Sequence, residues 1–91
     1  TAQNAPLDIF REANILLSGD RLKEYGSIET SCKRVAAIWS VIFDFDVEPH
    51  EVALALAGLK MARLVESGKE DSFVDLAAYT KMAHALHPDI P

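Results

Sequence analysis

Three groups of polar residues have the make-up of a binding site. The stretch Gly19-Asp20-Arg21-Leu22-Lys23-Glu24-Tyr25-Gly26 crowds charges, an aromatic ring and two glycines into one link. Lys60 and Arg63 lie three apart near the end of an apolar stretch, and Asp71, Asp75 and Tyr79 recur at i, i+4 and i+8, which puts two carboxylates and a phenol on one side of a helix. Arginine and lysine grip phosphate through charge-assisted hydrogen bonds, and a carboxylate pair binds Mg²⁺ through waters and substrate phosphates. Asp20, Arg21, Tyr25, Lys60, Arg63 and Tyr79 are therefore the candidate ligand-binding residues, and Asp71 with Asp75 the candidate metal ligands.

Each group also has a plainer explanation. Asp20 after Gly19 suits a helix-exit turn, and Tyr25 either plugs a bundle end or stacks on a base. Arg63 shares the angular position of Val52, Leu56 and Leu59, so its covered stem calls for an acidic partner, Asp71 or Asp75. Asp71 also suits a helix cap, and Glu12 a surface charge. His50, His84 and His87 lack the spacing of a zinc set. No nucleophile elbow, P-loop or Cys-His pair is present, so no catalytic residue is assigned.

Four helical stretches must position these groups. Pro6 suits a first helical turn, and Leu7, Phe10, Asn14 and Leu17, with Ile9, Ala13 and Leu16 beside them, make an apolar stripe over 6–18. Ser27 caps a helix over 27–43 whose stripe is Ile28, Cys32, Val35, Trp39 and Ile42. Pro49 opens a third over 49–67, apolar nearly all round and so central, with Gly58 set for close approach of another helix. Asp71 or Ser72 caps a fourth over 71–87, with Phe73, Leu76, Ala77, Thr80 and Ala83 on one face and Pro88 ending it. No strand pattern appears. The fold expected is all-α, a single domain that is a small antiparallel four-helix bundle, and an up-and-down course gathers the three polar groups at one end.

Composition narrows the partners. A chain of 91 residues that is 49% hydrophobic has more apolar surface than one thin core takes up, which points to an oligomer, a dimer first. A net charge of −5 without a basic run argues against a DNA or RNA polymer. No apolar run approaches a membrane span, and the first ten residues have neither the basic nor the apolar region of a signal peptide. The single cysteine, Cys32, falls on an apolar stripe, which fits a reduced, cytoplasmic setting.

The order Gly19-Asp20-Arg21, Tyr25-Gly26, Ile38-Trp39-Ser40, Val52-Ala53, Lys60-Met61-Ala62-Arg63-Leu64 and Asp71-Ser72-Phe73-Val74-Asp75-Leu76-Ala77-Ala78-Tyr79 resembles a family of small helical phage and prophage proteins without an established function. The likeness covers residues 9 to 85. Glu24 stands where that family often has Asp, Phe73 where it has Trp, and Ala78 where it has Gly. The same pattern is similar to nucleotide-modification-associated helical domains and, more loosely, to the MazG-type all-α nucleoside triphosphate pyrophosphatases. What the resemblance implies is a phage-type protein, in host cytoplasm, that binds a nucleotide or related phosphorylated molecule, with Mg²⁺-dependent hydrolysis of the MazG kind if it is an enzyme. Glu48 and Glu51 match the first acidic pair of the pyrophosphatase motif and Asp75 its last ligand, but Ser72 takes the place of an acid. In an antiparallel hairpin the pair lies far from Asp75, so a partner chain would have to complete that site, and the activity is not carried over. The alternative is a non-enzymatic interaction protein that occupies a host protein.

Overall fold

The computed structural model describes residues 7–18 and 27–91, and the described residues are helical, with no strand among them. Among the described residues four helices follow in order: α1 (Ile9–Leu16), α2 (Ile28–Phe43), α3 (Pro49–Glu66) and α4 (Glu70–Leu86). The all-α class and its four helices are as expected. The links and ends are set locally. Asp8 caps α1, its Oδ1 accepting from the Phe10 and Arg11 N–H groups, each at 3.1 Å, while Pro6 lies outside the described residues. Ser27 caps α2 through Oγ, which accepts from the Thr30 N–H at 3.0 Å. Asp44 ends α2 in the left-handed region at φ 57°, a conformation that Asp adopts more readily than most residues. Pro49 takes the first position of α3, and the Glu48 N–H donates to Glu51 Oε1 at 3.0 Å. Lys69 precedes α4 without a side-chain cap, so Asp71 lies inside the first turn, where a carboxylate complements the helix dipole.

The short link from Glu66 to Glu70 makes α3 and α4 a tight antiparallel hairpin, the centre of the fold. α1 packs mainly on α4, while α2 packs on α3 with a smaller contact to α4. The helices thus spread as a layer around the hairpin, and α2 reaches the α1 side through Ile28, which packs against the Ala13–Val74–Ala78 cluster. A radius of gyration of 14.6 Å, against about 12 Å for a compact chain of this length, reflects that spread.

The core consists of small side chains. One cluster joins Cys32 and Ala36 of α2 to Val52 and Ala53 of α3 and Ala83 of α4; the other joins Ala13 of α1 to Val74 and Ala78 of α4. Val52 and Cys32 are the largest side chains fully enclosed. Ser40 fastens the α2–α3 link, its Oγ donating to the Ala36 carbonyl and accepting from the Val47 N–H, both at 2.8 Å.

Candidate functional site

The polar residues singled out in the sequence divide among three places. Asp20, Arg21 and Tyr25 lie outside the described residues. Lys60, and not Arg63, pairs with Asp75: Nζ to Oδ2 is 2.9 Å, with both side chains largely covered. The helix register explains the exchange. Ala53, Ala57, Lys60 and Leu64 share one angular row of α3, the row turned toward α4, whereas Arg63 lies to one side of it. Arg63 is exposed, and it lines a cleft of about 250 Å³ with Glu66, Ser67, Lys69 and Ser72 at the α3–α4 link.

Asp71 and Asp75 do share a cleft, of about 370 Å³, with Glu12 of α1 and the apolar Leu7, Ile15, Leu16 and Val74. Glu12 thus faces the carboxylates of α4 instead of standing alone on the surface, although one of those carboxylates already holds the Lys60 ammonium. Tyr79, half-buried one turn beyond Asp75, lines neither cleft. Among the described residues no three His, Cys, Asp or Glu side chains are grouped to hold a metal ion. With Asp75 paired to Lys60, Asp71 and Asp75 are a poor donor set for Mg²⁺, which the site would have to bind largely through water.

Glu48 and Glu51 are engaged at the start of α3. Glu51 accepts from the Glu48 N–H, and Glu48 Oε2 lies 3.3 Å from His50 Nδ1. They stand nine to twelve residues from Lys60, about 14 to 18 Å along the helix, so within one chain they share no ion with Asp75. His50 and His87 do meet, with ring centroids 4.5 Å apart, a pairing that their spacing in sequence does not reveal.

A larger concavity than either of these clefts lies between α1 and α4. It measures about 640 Å³ and is floored by Ile9, Phe10, Ala13, Phe73, Leu76 and Ala77. Asn14, Thr80, Lys81 and His84 are its polar lining, with Lys81 Nζ donating to Asn14 Oδ1 across the groove. No carboxylate lines it. A second apolar cleft of about 320 Å³ shares Thr80 and His84 and carries the depression on past Leu54, Ala83, His87 and Ile90, with Asp89 at its end beside His87. From Phe73 to His87 this runs about 21 Å along α4.

The groove comes from stripes that the sequence assigns to the core. Phe10 and Asn14 lie on the groove side of α1, with Phe10 70% exposed, whereas Leu7 precedes the helix and lines the Asp71–Asp75 cleft; the buried side of α1 is the neighbouring row around Ala13. Phe73, Leu76, Ala77 and Thr80 likewise face the groove, while Val74 and Ala78 enter the core. Small residues lie next to each large apolar row, and they allow the closer packing between helices. That pairing of a large row with a small one was the signal available in the sequence.

With this geometry in place, comparison with known proteins identifies the family. The chain belongs to the family described as Domain of unknown function (DUF6378), whose model matches residues 8–87. It is 33% identical over 76 residues to the Gene 55 protein of Mycobacterium phage L5, covering 80% of this chain and 48% of that protein. It is 29% identical over 82 residues to the Gene 55 protein of Mycobacterium phage D29, covering 89% of this chain and 54% of that one. The chain spans about half the length of these curated relatives. No solved structure matches it. The likeness to phage proteins without an established function is therefore shown, and these matches lend no support to a likeness to MazG pyrophosphatases. No helix among the described residues is long and apolar enough to cross a membrane.

Proposed function

We propose that this chain is a phage-type, non-enzymatic interaction module that seats an amphipathic helix of a partner protein in the α1–α4 groove. The observation that carries this reading is the continuity of the groove. A depression about 21 Å long accommodates a helix of roughly fourteen residues, a recognition mode in which apolar anchors one turn apart enter a hydrophobic channel. The charge fits an acidic occupant. In a chain with fourteen acidic residues, the larger cleft is lined by Lys81 and His84 and by no acid. The test is affinity isolation from host cells with wild type, Leu76→Glu and Lys81→Glu. The wild type retains a polypeptide that Leu76→Glu loses and Lys81→Glu holds less well, while all three keep the same helical signal. Equal recovery by all three overturns the reading.

A nucleotide or similar phosphorylated ligand is the second reading, favoured by the cleft where Arg63 and Lys69 meet Ser72 in the first turn of α4. Arg21 and Tyr25, the further candidates from the sequence, lie outside the described residues. Hydrolysis is left out, because Asp75 is held by Lys60. A melting screen against nucleotides with and without Mg²⁺ decides: a selective rise lost on Arg63→Ala or Tyr25→Ala supports this site, and no shift removes it.

A further inference from the structure

The central helix leaves one face bare. α3 buries Val52, Ala53 and Ala57, but Leu54, Leu59, Met61 and Val65 are 46 to 88% exposed. On the helix circle Leu54, Gly58, Met61 and Val65 form one outward row, with Ala55 and Ala62 beside them. No charge falls in that face between Glu51 and Glu66. Gly58 is at its middle, and a methyl group added there would meet no atom within 4 Å. Among the described residues nothing therefore requires a glycine at that position, although Gly costs helix stability there. The close approach that Gly58 allows is open to another molecule.

We infer that this face binds the same face of a second copy of the chain, with the two α3 helices crossing antiparallel about a two-fold axis at Gly58. Two quantities on the structure choose a second copy. The accessible surface is 6649 Å², whereas a folded monomer of 10.0 kDa exposes about 5,200 Å². The excess of about 1,400 Å² is spread over the whole chain, the α1–α4 groove included, and leaves room for the roughly 800 Å² per partner that a stable interface takes. The face is also complementary to itself. Positions four before and four after Gly58 are Leu54 and Ala62, and positions three before and after are Ala55 and Met61. In an antiparallel two-fold pair, Leu54 therefore meets Ala62 of the partner subunit and Met61 meets Ala55 of the partner subunit. Leu54 and Met61 thus each face an alanine, as a self-complementary interface allows, while Val65, seven after Gly58, comes level with Glu51 of the partner subunit at the rim. Leu54 also borders the second cleft, but the other residues of this face line neither cleft, and the two proposals are tested by different substitutions.

The experiment is light-scattering mass across a concentration series, with cross-linking through Gly58→Cys. Wild type gives roughly twice 10.0 kDa at about 50 μM, above the micromolar range typical of weak interfaces of this size. Gly58→Leu, which the open space around Gly58 admits without disturbing the fold, gives the monomer mass with an unchanged helical signal. Under mild oxidation Gly58→Cys forms a disulfide-linked dimer, because helices crossing at a glycine approach within the Cα separation that a disulfide spans. Ala37→Cys, exposed on α2, does not. A monomeric wild type overturns the inference, whether another segment or another protein covers the face. So does a dimer that survives Gly58→Leu and leaves Gly58→Cys uncross-linked.

Discussion

Replacing Lys60 by Met and Asp75 by Ala, singly and together, measures whether this pair is a fastening of the hairpin or a charge held for a ligand. At 2.9 Å and an effective dielectric of about 20, the attraction is roughly 6 kcal/mol before desolvation. The Lys60 side chain is 16% exposed and that of Asp75 33%, so much of that attraction is offset by lost hydration. The coupling should fall between an exposed pair, at about 0.5 kcal/mol, and a fully buried one, near 3 kcal/mol; about 1.5 kcal/mol is the expected value. For 91 residues the unfolding entropy is about 190 cal/mol/K, so this corresponds to roughly 8 °C in melting temperature. The assay is urea unfolding followed by circular dichroism at one fixed protein concentration for all four proteins, since any self-association adds its own stability. A coupling below about 0.3 kcal/mol would refute the structural role and return Asp75 to the list of free site residues.

Other perturbations separate groove from core. Phe10→Ala should cost well under 1 kcal/mol, because the ring is 70% exposed, whereas a core phenylalanine costs about 3 to 5 kcal/mol; urea unfolding distinguishes the two. Ser40→Ala removes the hydroxyl that holds the Val47 N–H at 2.8 Å and should cost about 1 to 2 kcal/mol, with faster amide exchange at Val47. Burial pushes the Cys32 thiol above its ordinary 9.0. The native protein should therefore resist alkylation at pH 8 and react quickly in urea. The folded value is the raised one, so the neutral thiol's contribution to stability is present below pH 9.0 and lost as pH climbs through the folded value.

Much of the helical layout was legible in the sequence. Ser27, Pro49 and Pro88 mark ends that the structure keeps, because capping and proline geometry act locally. The neighbour chosen by each stripe was less legible. Leu7, Phe10 and Asn14 repeat as regularly as a core face, yet the row around Ala13 is the one that packs, since close helix contact depends on what the opposing helix presents. Lys60 took the partner expected for Arg63 for the same reason: the register between α3 and α4 is fixed by Ala53, Ala57 and Ala83, not by either charged residue. The breadth of apolar residues around α3 was read as central burial. The structure places α3 centrally but covers only part of its circumference.

The most direct test of the groove as a binding surface is photo-cross-linking in host cells from a benzophenone side chain at position 10, with position 37 on α2 as the reference. The account predicts a cross-link from position 10 to a single acidic, amphipathic helical segment, identified by mass spectrometry and abolished by Leu76→Glu. Cross-links of equal yield from position 37, or a position 10 adduct that Leu76→Glu leaves unchanged, would contradict it.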